Sequence, residues 1–533
     1  MISHFSLKRL THLGLAIYSS SAQAAPCDVL ISGGSLSALT AALSSARESV
    51  NTCLVEPTNW AGGQITASGV PALDFAWHKI GDVSMSLLTR KPENMEENLR
   101  VWTKDLGNPG GCWVSYHCFD PKTFLSTKIM PALAKESKLK VFYNTVVKSI
   151  EKDGPKIVGI KLLQRLSSLT QKTPPLSQNI DGWYDVSTEL NPKNEILLAG
   201  ELAPKIFIDA SENGDLLALS SDAYSQGGED GEAFKVGDET GDSTCGQATV
   251  FPFVMDGKAA VSEPVITSEH PEFYSLGRFT WDKIWTYRRL KGSGDVFLPG
   301  QKSLQNWNPG NDYPYGYLWL SRQETNESKA DWRGGYNVDT IRAAESHALG
   351  WYKWYKAKAP LERQKSISLD MDALGTQNGL SKFPYVRDTR RSIGLDNFRL
   401  TVKDILGSKT RGTKFFDRVA IHTYAMDIHP LIGKKCYGNE SELPPPYYIP
   451  FRALTNRDVK NLLVAGKTMA QTFMVNASTR VHAGEMASGA ASGMAASYMI
   501  KKNLGDTRDV LKDIVPFRAY SSKRTPSDWT GYE

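Results

Sequence analysis

Several things are scarce in this chain, and each scarcity excludes a class of protein. Its 533 residues include six cysteines and nine histidines, and none fall in C-x-x-C or Cys/His metal-site spacing. Metal binding is therefore disfavoured. No run of Lys or Arg occurs, and 62 basic against 57 acidic residues leave a net charge of +5 spread along the sequence. Nothing marks a nucleic-acid partner. No stretch reaches the roughly 18 apolar residues of a membrane-spanning helix. Internal repeats and low-complexity tracts are missing too. The 41% hydrophobic and 22% charged content is that of an ordinary globular protein long enough for two or more domains.

The N-terminus carries Lys8 and Arg9, an apolar stretch from Leu10 to Tyr18, and Ala22-Gln23-Ala24. This is the pattern of a cleaved secretory signal over residues 1–24. It predicts a periplasmic or secreted protein in which disulfides are permitted. Cys112 and Cys118 are the expected bridge.

Apolar runs then alternate with helical patterns. Residues 28–32 read as a strand, 36–47 as a helix and 52–55 (TCLV) as a second strand, together one βαβ unit. A helix is expected over 122–137, strands in VFYNTVVKSI and IVGIKLL, and another in KIFIDAS (205–211). From about 240 to 450 helical patterning weakens and Trp, Tyr, Pro and Gly become frequent. NLLVAG (461–466) is again a buried strand, and 481–502 a final helix. The expected fold is α/β. A Rossmann-like domain is built from two segments, 25–240 and 451–533, and an α+β substrate or cap domain is inserted at 241–450.

The turn between the first strand and helix reads GGSLSA (33–38). A dinucleotide-binding turn needs one small residue for the tight turn, one for close backbone approach to the pyrophosphate and one for helix–strand packing. Gly33 meets the first need, with Gly34 beside it. Ser35 takes the second place, with a hydroxyl able to donate to a phosphate oxygen, and Ala38 takes the third. Glu56, 23 residues after Gly33, ends the next strand where a ribose-binding carboxylate belongs. A Gly62-Gly63 pair follows closely.

In series, GGSLSA, EPTNWAGGQ (56–64), IDASENGDL (208–216), YVRDTRR (385–391), YAMDIHP (424–430), YYIPFRAL (447–454), NLLVAGK (461–467) and STRVHAGEMASGAASGMAA (478–496) resemble the FAD-dependent oxidoreductase family of the glutathione-reductase-like superfamily. The resemblance implies FAD as cofactor. It puts Gly33, Gly34, Ser35 and Ala38 at the pyrophosphate, Glu56 at the adenosine ribose, and Gly62, Gly63 and Gln64 along the pyrophosphate and ribityl chain. It puts the Val147 backbone at the adenine and has Ala210, Gly214 and Asp215 close the pocket. Gly466, Arg480 and Val481 would lie against the flavin ring. A cation at a helix N-terminus suits the negative charge of reduced flavin, which makes Arg480 the candidate; an interdomain ion pair is its other reading. The small residues around Gly489 and Gly493 are expected to pack the last helix on the sheet.

The substrate wall is expected from the insert, with Trp307, Asn311, Asp312 and Tyr313 as candidates. His429, which titrates near neutrality when unperturbed, is the candidate catalytic base, with Tyr424 and Asp427 beside it. Arg387, Arg390 and Arg391 either bind a substrate carboxylate or form ion pairs with acidic neighbours such as Asp388. No second G-x-G-x-x-G and no Cys-x4-Cys pair is present, so neither a nicotinamide site nor a disulfide reductase is supported. The expected activity is oxidation of a small organic substrate at a C–N or C–O bond, with O₂ or another carrier as electron acceptor. A monooxygenase or sugar oxidase with aromatic stacking, and a non-catalytic flavin-binding protein, are the alternatives.

Overall fold

The computed structural model describes residues 27–74, 91–189, 191–232, 241–259, 266, 269–408, 410–432 and 441–530. The expected signal segment lies outside them. Five short parallel strands form the central sheet: β1 (Val29–Ser32), β2 (Thr52–Val55), β3 (Leu139–Phe142), β4 (Ile206–Asp209) and β5 (Leu462–Val464). Their order is β5-β4-β1-β2-β3. Every residue in β1, β2, β4 and β5 is buried, as a parallel sheet covered on both faces requires. Val29 pairs with Thr52 on one side and with Ile206 on the other. The strand order therefore reverses at β1, and the crevice beyond the carboxyl ends of β1 and β4 is the switch point where such sheets bind ligands.

Helix α1 (Leu36–Arg47) follows β1, and the C-terminal helix α2 (His482–Lys502) lies directly against it. A Cβ at Gly489 would fall 2.2 Å from the Ser37 carbonyl oxygen, and one at Gly493 would fall 2.2 Å from that of Ala41. The small residues of α2 thus serve a helix-on-helix contact first, where the sequence reading put the contact on the sheet. This contact joins the two ends of the chain into one domain.

The stretch 141–150 is divided. Val141 and Phe142 belong to β3, Asn144 turns the chain with φ +54°, and Thr145–Asp153 enters an antiparallel sheet with Lys156–Arg165 and Lys193–Ala199. Asn tolerates the left-handed region, so the apolar run carries a turn that periodicity does not reveal. The Thr145 amide donates to the Glu56 carbonyl at 2.9 Å, which sets Val147 behind the tips of β1 and β2. The expected helix over 122–137 runs from Pro121 to Ala134, with a π turn at Leu125–Ile129.

The insert has its own antiparallel sheet, Arg289–Lys291, Lys302–Gln305, Phe253–Asp256 and Ser368–Leu369 in that order. It also has a 20-residue helix, Val338–Ala357, in the region where helical patterning weakens. Its many aromatics form the core: Trp285, Trp332 and Trp351 are wholly buried, and Trp281 stacks on both Trp285 and Tyr355. These rings are not a sugar-stacking surface. Part of the segment assigned to the insert rejoins the first domain, since Val419, Ala420 and Ile449 share one core with β1, α1 and α2.

Cys112 and Cys118 are bridged, as are Cys27 and Cys53, which ties the entry of β1 to β2. Cys245 is disulfide-bonded as well. Among the described residues no helix is long and apolar enough to cross a membrane.

Candidate active site

At the crevice, Ser35 is the N-cap of α1 and its hydroxyl oxygen accepts from the Ala38 amide at 3.0 Å. The same oxygen lies 2.5 Å from the Ala210 carbonyl and 2.7 Å from the Ser37 hydroxyl. The hydroxyl expected to face a phosphate is therefore committed to capping the helix and tying it to β4. Gly33 has no space for a side chain, because a Cβ would lie 2.5 Å from the Val55 carbonyl. Gly63, at φ +52°, rests on the turn so closely that a Cβ would meet the Ser35 Cα at 2.5 Å. Gln64 donates to the Arg480 carbonyl at 3.3 Å, and its buried Oε1 has no partner.

Glu56 is buried at the end of β2, where its Oε1 accepts from the Thr58 amide at 3.0 Å and hydroxyl at 2.8 Å. Burial outweighs these bonds and pushes its carboxyl up to about 8. A narrow cleft beside it is lined by Gly33, Gly34, Pro57, Val147, Glu212 and Asp215. Gly214, at φ +64°, starts the helix Asp215–Ser220. Asp215 accepts from Trp332 Nε1 at 2.8 Å and Asn213 Nδ2 at 2.7 Å, and burial pushes it up to about 7. It thereby joins the crevice to the insert.

Gly466 turns the chain after β5 at φ +64°, and a Cβ there would strike the Ser37 hydroxyl. Next to it, buried Lys467 bridges the carboxylates of Glu212 and Glu485. Glu485 Oε2 in turn accepts from the Leu36 amide at 3.1 Å. That amide belongs to the free N–H groups of α1, so this helix N-terminus already takes an anion. With the cradling glycines, the open acceptor of Gln64 and the unmatched carboxyl of Glu56, the residues present fit a dinucleotide lying from β2 across α1 to α2.

At the α2 end of this path, where Arg480 stands, is a cavity of about 270 Å³. Arg480 and Val481 close the Phe473–Thr479 helix and open α2. Arg480 donates to the Tyr385 hydroxyl at 2.7 Å and the Asp427 carbonyl at 2.8 Å, and its Nη2 lies 3.3 Å from the Asp427 carboxylate. Burial disfavours its charge, but Tyr385 and Asp427 more than offset this and hold it cationic. Both ring nitrogens of His429 meet carboxylates, Nδ1 at 2.6 Å from Asp312 and Nε2 at 3.1 Å from Asp427. Burial and Arg387 oppose a charge on the imidazole, but the two carboxylates prevail and raise its pKa. Asp312 also accepts from Arg387 at 2.8 Å. Asp427 is half-buried, which raises its carboxyl, yet His429 and Arg480 hold it well below the usual carboxylate range. The result is one chain of alternating charge, Arg480–Asp427–His429–Asp312–Arg387.

The cavity also gathers Trp307 and Tyr424 from the expected residues. Others stand elsewhere. Asn311 is fully buried, bonded to the Phe251 and Gln305 carbonyls and the Trp307 amide. Tyr313 packs against Tyr315 and His347. Arg391 pairs with Asp388 at 2.7 Å and Asp230 at 2.8 Å, and Arg390 binds the Asn213 and Gly335 carbonyls. These two arginines hold the insert to the nucleotide side, and only Arg387 of the cluster reaches the cavity. The sequence reading missed Asp74, Val114, Tyr287, Arg288, Asn306 and Tyr385. Tyr287 and Arg288 end the helical pattern WDKIWTY, and nothing in the sequence shows that this helix stops at the cavity.

Comparison with solved structures finds folds of the flavoenzyme type at low similarity. A myxobacterial chondrochloren halogenase, CndH, is 9% identical, with 92% of this chain and 78% of that one covered at a TM-score of 0.35. A geranylgeranyl bacteriochlorophyll reductase-like protein from Thermoplasma acidophilum is 9% identical, covering 95% and 94% at 0.35. The p-nitrophenol 4-monooxygenase PnpA of Pseudomonas putida is 10% identical, covering 94% and 90% at 0.31. No curated protein sequence matches the chain. The model of the FAD dependent oxidoreductase family, in contrast, matches residues 28–173 and 193–518, nearly all of the described chain. With the crevice above in place, the chain belongs to the FAD-dependent oxidoreductase family and is an enzyme with FAD as its cofactor.

Proposed function

We propose that this enzyme oxidises a small organic substrate at a C–N or C–O bond, in the periplasm or after secretion, and passes the electrons to O₂ or another carrier. The observation that carries the reading is the charged chain Arg480–Asp427–His429–Asp312–Arg387, whose Arg480, Asp427, His429 and Arg387 line a cavity of about 270 Å³ between α2 and the insert. FAD bound in the crevice supplies a hydride acceptor. Arg480 would offer a fixed cation to the negative charge of the reduced flavin. His429 holds a proton between two carboxylates; once deprotonated, it is the base that takes the O–H or N–H proton of the substrate. Trp307 and Tyr424 shield the reacting bond from water. The disulfides of Cys27, Cys53, Cys112, Cys118 and Cys245 support an oxidising compartment. Most of the insert's aromatics are core residues, and Tyr287, Trp307, Tyr385 and Tyr424 are those that reach the cavity.

The test is anaerobic bleaching of the purified yellow protein across amines, amino acids, hydroxy acids and sugars, followed by peroxide release in air. Bleaching by an amine or alcohol supports the proposal. A flavin that dithionite reduces but no donor in the panel bleaches would reject it.

A further inference from the structure

Arg288 is a buried cation with no carboxylate partner among the described residues. It is 8% exposed, its Nη1 donates to the Asn306 carbonyl, its guanidinium lies 4.5 Å from the centre of the Tyr287 ring, and its Nε is buried with no partner. The other cavity cations are matched: Arg387 with Asp312, Arg480 with Asp427, and His429 with both acids. The cavity is lined by Arg288, Arg387, Arg480 and His429 and by the carboxylates of Asp74 and Asp427, with Asp312 behind His429 and Arg387. Of its three arginines, Arg288 is the one with no acid within 4.0 Å among the described residues.

Arg288 belongs to the insert, with Tyr287, Asn306 and Trp307, whereas Arg480 and Gln64, linked at 3.3 Å and expected beside the flavin, belong to the nucleotide-binding segments. A buried guanidinium is costly unless an anion meets it, and its planar fork fits a carboxylate with two parallel bonds.

We propose that Arg288 anchors the substrate through a carboxylate, so that the enzyme acts on small monocarboxylic acids whose apolar body rests on Tyr287, Trp307 and Val114. This rests on the reading of the cavity as the substrate site and narrows it to one chemical class.

The experiment uses the FAD-loaded enzyme and reads perturbation of the flavin absorbance on titration with acetate, hexanoate, benzoate and phenylacetate, each against its neutral amide. At least one acid is expected to bind about tenfold to a hundredfold more tightly than its amide. Arg288→Met should abolish that difference while leaving FAD affinity unchanged, and Arg288→Lys should keep part of it. Equal binding of acid and amide, or no perturbation by any acid, would overturn the proposal. So would Arg288→Met with intact discrimination, or a loss of FAD affinity equal to the loss of acid binding, which would assign Arg288 to the flavin. Binding is read here without turnover, so a failure of the oxidation reading leaves a different signature: acids that bind and never bleach.

Discussion

The Glu485 carboxylate lies 3.1 Å from the main-chain nitrogen of Leu36, on the free N–H groups at the start of α1. On the reading that the FAD pyrophosphate meets the same N–H groups, the Glu485 carboxylate competes with it for them. Lys467 and Glu212 lie beside Glu485. Glu485→Gln removes the competing charge and keeps the shape. Its FAD dissociation constant, read by quenching of flavin fluorescence, should fall by about tenfold, in line with a single helix-terminus charge interaction. Weaker FAD binding in this variant would mean that Glu485 helps to hold the cofactor.

Glu56 makes the apoprotein sensitive to alkali. Burial moves its carboxyl from 4.5 up to about 8. The folded state therefore holds a proton that the unfolded state has released across that window. Stability from this group is full below 4.5 and is lost as pH rises towards 8. Glu56→Gln stays neutral throughout. Its apoprotein melting temperature should exceed that of the wild type by a margin that grows from pH 5 to pH 8, while its FAD affinity falls because the ribose loses a carboxylate acceptor. Parallel melting curves across this range would show that the buried carboxyl is not the source.

The first βαβ unit was legible because its signals are local. The helix over 36–47 and the strand over 52–55 stand where apolar periodicity and the small-residue turn put them. Glu56 sits at the strand end that its spacing demands. The cavity was only half legible. Arg387 and Arg391 are four residues apart in one motif, yet one lines the cavity and the other is locked between Asp230 and Asp388. That choice depends on which acids arrive from distant segments, and sequence spacing carries no record of it. Ser35 teaches the same lesson, since its hydroxyl is claimed by Ala210, 175 residues away. The insert hid its long helix because Val338–Ala357 buries Trp and Tyr among polar residues, which weakens the apolar stripe.

His429 sets the expected pH profile. Asp427 and Asp312 raise its pKa above the ordinary 6.5 despite burial. A base must first lose this proton, so kcat/KM should climb on the alkaline side of 6.5, with a midpoint above it. Asp312→Asn removes one of the two carboxylates and should move that midpoint down by about one unit. His429→Gln should abolish the climb and lower the rate by about a hundredfold or more. A profile that is flat from pH 6 to pH 9 in the wild type would remove His429 from proton transfer. The stability it lends runs the other way: present below 6.5 and lost as pH rises through the folded value.

Gly489 and Gly493 set the distance between α1 and α2, and hence the position of the α1 N-terminus relative to Arg480 and Val481 at the start of α2. Each added methyl would meet a main-chain oxygen at 2.2 Å, and neither the Ser37 nor the Ala41 carbonyl can rotate aside without breaking helix α1. Gly489→Ala must therefore push the helices apart, against the gain in helix propensity that alanine brings. Overpacking of this kind costs about 1–3 kcal/mol, which outweighs the gain of about 1 kcal/mol. The melting temperature should fall and FAD affinity should fall with it, because the pyrophosphate and flavin ends of the cofactor path move relative to each other. A Gly489→Ala protein with unchanged melting temperature and unchanged FAD affinity would show that the spacing of the two helices does not set the cofactor site.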